Sequence, residues 1–294
     1  MSPSPPYGAQ SMVEPLRRVL VKRPEDAFTD AADWRDYGFL EEPDVAVATA
    51  EHRALIEALE AAGAEVEVLP PAVGTGLDSI YTHDPSLVTV RGAVVCSMGK
   101  ELRAEEAQAH ARWYAAAGIP VLGTIEKGGR LEAGDVCWLD ERTVAVGEGY
   151  RTNAEGIRQL GDILGDLVDE VITVPLPHWH GPSECLHLLS LVSLVDHDLA
   201  VVFSPLMPVF FRNALLDRGM ELVEVPEDEY DLLGCNVLAV GPRTCLAVEG
   251  SPVTRARLEA AGASVTTIPG AQMCRNGFGG PTCLTRPILR TAKP

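Results

Sequence analysis

A cysteine placed straight after paired glycines, in Gly279-Gly280-Pro281-Thr282-Cys283, is the residue in this sequence best suited to covalent chemistry. Glycines let the chain turn sharply and let a ligand come close to the backbone. A thiol held beside them can attack an electrophile as the thiolate. A C-terminal loop with a chance cysteine would look the same locally, so the case rests on where the other reactive groups fall. They are Asp78 and Asp84, Glu132 and Asp135, Glu184 and His187, and Asp231 with Cys235-Asn236. If these groups meet Cys283, carboxylates gather around one histidine and one thiol. Acids repel one another unless a cation joins them, so the expected ligand is cationic. A planar guanidinium fits, because its carbon is electrophilic and its nitrogens match carboxylates bidentately. The thiolate would attack that carbon while the histidine moves protons. A bound cation would also lower the thiol pKa.

Each residue alone also has a plainer reading. Asp84 precedes a proline and suits a turn. Glu132 suits a solvated loop, and His187, in an apolar run, suits a satisfied core position. His178 and His180 in Pro177-His178-Trp179-His180 have the look of a metal pair, but they lack a third ligand at useful spacing, so no metal is expected. Cys96, Cys137, Cys185, Cys235 and Cys245 lie in β-rich runs and read as small core hydrophobes.

What unites the candidates is a repeat. Five times a helix-like segment ends at a small or acidic turn, and a β-rich run follows that a proline closes or, once, interrupts. The copies are 61–70, 117–122, 167–175, 218–226 and 261–269. Glycine supplies the left-handed helix end, and β-branched residues supply the strand. Between copies lie hairpin signals: 86–90 with 93–96, 136–139 with 143–146, 191–195 with 200–203, and 237–240 with 245–248. The unit is hairpin, helix, strand, recurring every 45–55 residues or so. Five units suggest an α/β fold closed into a ring, with the strand around 18–22 and the one around 284–288 completing one unit together. The starts of the innermost strands would then converge on the axis, where the candidates lie.

Composition sets the outer bounds. The 294 residues are 46% hydrophobic, ample for a full core, and the net charge is −18. That balance disfavours nucleic acid or an anionic membrane as partner. Seven scattered cysteines without a CxxC pair disfavour a disulfide framework and a structural zinc site. The first residues are rich in Pro, Ser and Gly without an apolar segment, and no run is long enough for a membrane span. The expectation is a cytoplasmic protein with a flexible tail over 1–12 and one catalytic domain over 13–294.

With these residues assembled, the chain resembles the guanidino-group-modifying enzymes of the pentein superfamily, and among them the dimethylarginine dimethylaminohydrolases. The resemblance runs from about Leu16 to Leu289. It is carried by Leu131-Glu132-Ala133-Gly134-Asp135-Val136, Arg151-Thr152-Asn153-Ala154-Glu155-Gly156, Leu186-His187-Leu188 and the Cys283 motif. It implies a five-bladed ββαβ propeller with pseudo-fivefold symmetry. It implies Cys283 as nucleophile, His187 as general acid and base, and Glu132 as the carboxylate that meets both the histidine and the substrate. It further implies substrate-binding roles for Asp84 as guanidinium ligand, Asp78 as a second acid, Tyr81 as an aromatic lining the pocket, and Ser190 as a small hydroxyl. Arg103 and Arg151 would clamp the substrate α-carboxylate. No cofactor is implied. The partner is a small guanidino substrate, and a homodimer is compatible with the sequence. His83 and the run Thr285-Arg286-Pro287 depart from the family pattern.

The resulting expectation is hydrolysis of an Nω-methylated arginine to citrulline and an alkylamine through a covalent S-alkylthiouronium. Arginine deiminases and amidinotransferases share the fold but run longer, so length is expected to disfavour both. A non-catalytic propeller that holds a cation is the remaining alternative, and it would need no thiol.

Overall fold

The computed structural model describes residues 6–29, 31–183 and 186–291. Among these the strands are β1 (Leu16–Val21), β2 (Glu65–Val68), β3 (Ser86–Thr89), β4 (Gly92–Val95), β5 (Val121–Thr124), β6 (Val136–Trp138), β7 (Thr143–Glu148), β8 (Glu170–Pro175), β9 (Val192–Asp196), β10 (Leu199–Val202), β11 (Glu221–Glu224), β12 (Leu238–Gly241), β13 (Thr244–Val248), β14 (Ser264–Ile268) and β15 (Arg286–Arg290). They form three-stranded sheets ordered β3-β4-β5, β6-β7-β8, β9-β10-β11, β12-β13-β14 and β15-β1-β2. In each sheet the first pair is antiparallel and the second parallel, as in Leu87 opposite Val94 and Ala93 opposite Val121. A parallel neighbour requires a crossover, and a helix supplies it in each case: α1 (Val45–Ala61), α2 (Ala104–Ala116), α3 (Ala154–Leu164), α4 (Val209–Asp217) and α5 (Pro252–Ala260). This is the ββαβ propeller, closed because the last strand pairs with the first: Pro287 lies opposite Val19.

The local causes are the ones the repeat carries. Gly63, Gly118, Gly219 and Gly262 follow helix ends with φ between +70° and +90°, a left-handed region that residues with a Cβ rarely adopt. The backbone N–H of the next residue then reaches back to close the turn, as from Ala64 to the Leu59 carbonyl at 3.1 Å. The inner strand β3 is buried along its whole length, so its residues are apolar or hydrogen-bonded without surface alternation.

Within the tail expected over 1–12, Gly8 and Ala9 are tied to the inner strands. Gly8 donates to the Ile288 carbonyl at 2.8 Å, and Ala9 donates to the Val88 carbonyl at 3.1 Å. Ala9 and Val13 are buried. The segment satisfies backbone groups of two inner strands, which would otherwise be orphaned. No described helix is long and apolar enough to cross a membrane.

Candidate active site

The loops that precede the inner strands meet at one end of the ring around a cavity of about 770 Å³, lined by Asp78, Tyr81, Asp84, Arg103, Arg151, His187, Ser190 and Cys283 among others. All nine residues expected at the site thus reach it, if Glu132 is counted through its contact with His187. Asp231 and Asn236 line the cavity too. Glu184 and Cys185 lie outside the described residues. Of the other cysteines expected in the core, Cys96, Cys137, Cys235 and Cys245 are buried, whereas Cys283 is half-buried.

Glu132 is the best-anchored group. Its Oε1 accepts from the backbone N–H of Gly99 at 2.9 Å and of Lys100 at 3.2 Å. Arg151 Nη1 reaches both carboxylate oxygens, and Nε2 of His187 lies 2.8 Å from Oε2. Complete burial works against ionisation, but the Arg151 guanidinium and then the His187 hydrogen bond outweigh it and hold the carboxyl well below the usual range. The ionised carboxylate accepts a hydrogen bond from His187 Nε2–H, and the other ring nitrogen, Nδ1, lies 3.9 Å from Oδ1 of Asp84. That Asp84 oxygen is buried without a hydrogen-bond partner among the described residues. Gly134 permits the approach, because a Cβ there would stand 2.8 Å from Asp84 Oδ1 and closer still to His187 Nδ1. Asp135 supports the histidine from behind by accepting from the Leu188 N–H at 2.9 Å; burial raises its own pKa to about 6.

Cys283 sits where two glycines let neighbours close in. A Cβ on Gly280 would fall 2.8 Å from Asn236 Cβ, and one on Gly279 would run into the Tyr81 ring. Close approach, rather than a left-handed turn, is what these glycines supply. Asn236 then donates from Nδ2 to the sulfur at 3.2 Å and accepts the Thr282 N–H at 3.1 Å. Tyr81 is buried, donates to the Met273 carbonyl at 3.3 Å, and is kept neutral by burial.

Two expected roles change. Arg103 is not poised to clamp a substrate carboxylate: its Nη1 bonds Asp84 at 2.6 Å, its Nε and Nη2 bond Glu106, and Nη2 also meets the carbonyls of Asp78 and Tyr81. It is 2% exposed. A guanidinium so surrounded by acids braces Asp84. Ser190 likewise turns back to its own turn, accepting the His187 N–H at 3.2 Å.

Lys100 was not foreseen. It bonds Asp78 at 2.5 Å and the Tyr37 carbonyl at 2.7 Å. Its position in Met98-Gly99-Lys100 carries no motif that would have revealed it.

Asp84, Glu132 and His187 lie close enough to share an ion. The positive charges that counter the two carboxylates are Arg103 and Arg151. Away from this cluster, Nδ1 of His178 meets the Tyr150 hydroxyl at 2.7 Å, and the His180 ring packs on Trp179.

The family model for arginine deiminase matches residues 78–210 and 207–290. The chain belongs to the arginine deiminase family. It is 26% identical to the dimethylarginine dimethylaminohydrolase of Pseudomonas aeruginosa over 92% of this chain and 98% of that protein. A solved structure of that enzyme complexed with citrulline, at 24% identity, superposes with a TM-score of 0.76 over 92% of this chain and 99% of the other. The arginine deiminase of Rhodococcus opacus is 31% identical over 54% of this chain and 46% of its own length, so this chain spans about half of it. An amidinotransferase from Microseira wollei, at 18% identity, superposes with a TM-score of 0.80 over 98% of both chains. Length therefore does not set amidinotransferases apart from this chain, contrary to the expectation from sequence.

Proposed function

We propose that this enzyme hydrolyses an Nω-methylated arginine to citrulline and an alkylamine. The observation that carries the reading is the pairing of His187 Nε2 with Glu132 at 2.8 Å, on the wall of the cavity that also holds Cys283 and the unmatched Oδ1 of Asp84. A guanidinium entering that cavity offers N–H donors to Asp84 and its carbon to the sulfur. The Cys283 thiolate attacks the carbon, His187 Nδ1 hands its proton to the departing alkylamine, and the C–N bond breaks to leave an S-alkylthiouronium. His187 then takes a proton from water, hydroxide adds to the same carbon, and the C–S bond breaks to regenerate the thiolate, the added hydroxyl giving its proton to solvent or the released amine as the ureido product leaves. Asn236 Nδ2, already 3.2 Å from the sulfur, stabilises the anion at both ends of the cycle.

The near-complete overlap with the dimethylarginine hydrolase, against about half of the deiminase, favours a methylated substrate. Arginine deimination is the second reading, favoured by the higher identity over the shared half. Citrulline release from arginine, monomethylarginine and dimethylarginine, with ammonia and alkylamine measured separately, separates the two. Faster turnover of arginine than of both methylated forms would reject the proposed substrate.

A further inference from the structure

Below the catalytic cavity, deeper along the propeller axis, lies a second space of about 30 Å³. Since about 10–15 Å³ of such space is enough to hold one water, it has room for a small occupant. His83, Leu189 and Thr282 line both spaces and so form the partition. The lower one is walled mostly by apolar side chains such as Leu87 and Val237, with Ser11 and Ser193 among them, and no Asp or Glu lines it.

Two arginines of the inner strand β15 also line it. Arg286 and Arg290 are 4% and 7% exposed. Arg286 Nη2 lies 2.7 Å from Nδ1 of His83, while Arg290 uses Nη1 on the Glu14 carbonyl and Nη2 on the Ala239 carbonyl. Each leaves its Nε–H buried without a partner among the described residues, as does the hydroxyl of Thr282. Three orphaned polar groups on one small cavity call for an occupant. The nearest acids are engaged elsewhere: Asp84 is held by Arg103 at 2.6 Å, and the Glu14 carboxylate by His197 at 3.1 Å. Two buried guanidinium groups without a carboxylate are costly unless a negative charge joins them. Burial first, and Arg286 second, already depress the Arg290 pKa to about 9.

We propose that the axial cavity binds a small monovalent anion of the halide class, chloride in ordinary media, between the Nε–H groups of Arg286 and Arg290 with the Thr282 hydroxyl as third donor. The anion would brace the floor of the catalytic site from beneath. Thr282 adjoins Cys283, and His83, which Arg286 contacts, donates its backbone N–H to the Cys283 carbonyl at 3.0 Å. The site stands whatever guanidino compound the enzyme takes, since it uses none of the groups assigned to the reaction.

The test uses the full chain, freed of halide and melted in sodium chloride, bromide or gluconate at constant ionic strength. Chloride and bromide should raise Tm saturably by roughly 2 °C or more, about 1 kcal/mol for a chain this size, whereas gluconate should not. Crystals grown in bromide should show its anomalous signal between the two Nε atoms. Arg290→Met should erase the difference between salts. Equal melting in chloride and gluconate, a halide response unchanged in Arg290→Met, or water alone in the cavity in the bromide crystals would each overturn the proposal. If Arg290→Met fails to fold, the bromide signal in the wild-type protein decides.

Discussion

Nε2 of His187 and Oε2 of Glu132 stand 2.8 Å apart, and the same carboxylate accepts two backbone N–H groups and the Arg151 guanidinium. Glu132 therefore fixes which ring nitrogen carries the proton and which way the imidazole faces. Glu132→Gln keeps the shape but removes the charge, and its amide can present a donor to a nitrogen that itself needs an acceptor. Turnover should fall by about 10²–10⁴, the range of a general acid–base contribution. Steady-state kinetics on methylated arginine checks this, and a loss under tenfold would detach the pair from the chemistry.

Cys283→Ser should abolish turnover and leave the melting curve near that of the wild type, because the side chain is half-buried and nearly isosteric. A hydroxyl is a far weaker nucleophile than a thiolate at neutral pH. Acid quenching of the wild type during turnover, followed by mass spectrometry, should reveal a substrate-derived adduct on Cys283 that the serine variant lacks. A binding propeller without catalysis would give no adduct.

Gly134→Ala isolates geometry from charge. The added methyl would stand 2.8 Å from Asp84 Oδ1 and crowd His187 Nδ1. The imidazole must move, and displacement of about 1 Å can cost 10²-fold in rate. Activity near wild type in Gly134→Ala would show that the approach of His187 to Asp84 is not needed for turnover.

The pH dependence of stability has a separate source in Asp135. Burial raises its folded pKa to about 6, against about 3.9 in the unfolded chain. Between those values the native state binds more proton than the unfolded state, so this group lowers stability as pH rises from about 4 to 6 and then holds the penalty. Asp135→Asn retains an acceptor for the Leu188 N–H and removes the titration. Its stability relative to wild type should therefore be greater at pH 7.5 than at pH 5, by about 1.4 kcal/mol, since about half of the penalty is already present at pH 5. Urea denaturation at the two pH values measures the difference. Equal effects at both would show that Asp135 ionises normally.

Much of this arrangement could be read from the sequence because its causes are local. β-branched runs closed by proline, and glycines such as Gly63 and Gly262 at helix ends, encode the blade. Five copies leave ring closure by β1 and β15 as the natural outcome. Glu132, His187 and Cys283 stand at strand starts and inside motifs. What could not be read is how charges are shared out among partners. A guanidinium at position 103 can hold a substrate carboxylate or Asp84, and only the three-dimensional packing of Glu106 and two carbonyls around it decides for Asp84. Lys100 on Asp78 is the same problem. His83 and Arg286, two separate departures from the family pattern in the sequence, prove to be one contact of 2.7 Å. The tail reads as loose from its Pro, Ser and Gly content, yet Gly8 and Ala9 find backbone partners that composition does not reveal.

Substrate selectivity follows from the same division of charge. With Arg103 committed to Asp84 and Glu106, the proposed amino-acid substrate would have to meet its α-carboxylate at Arg151, which pairs with Glu132, lines the cavity and is 8% exposed. Agmatine lacks that carboxylate and leaves the arginine with one partner fewer. Loss of a charged partner in a desolvated site costs about 2–5 kcal/mol, so agmatine should be at least about tenfold poorer in kcat/KM than methylated arginine. Arg151→Ala should lower both rates, since Glu132 loses its counter-charge, but it should collapse the ratio between the two substrates. Arg103→Ala should act differently: it strands Asp84 and Glu106 as buried carboxylates, at a cost of about 3–5 kcal/mol in stability. The ratio should persist in whatever fraction stays folded. If the ratio instead survives in Arg151→Ala and collapses in Arg103→Ala, then Arg103 leaves Asp84 when substrate binds and reaches the carboxylate itself. If agmatine outpaces methylated arginine in the wild type, the amino-acid substrate is wrong, although Cys283 and His187 could still run the same chemistry on another guanidine.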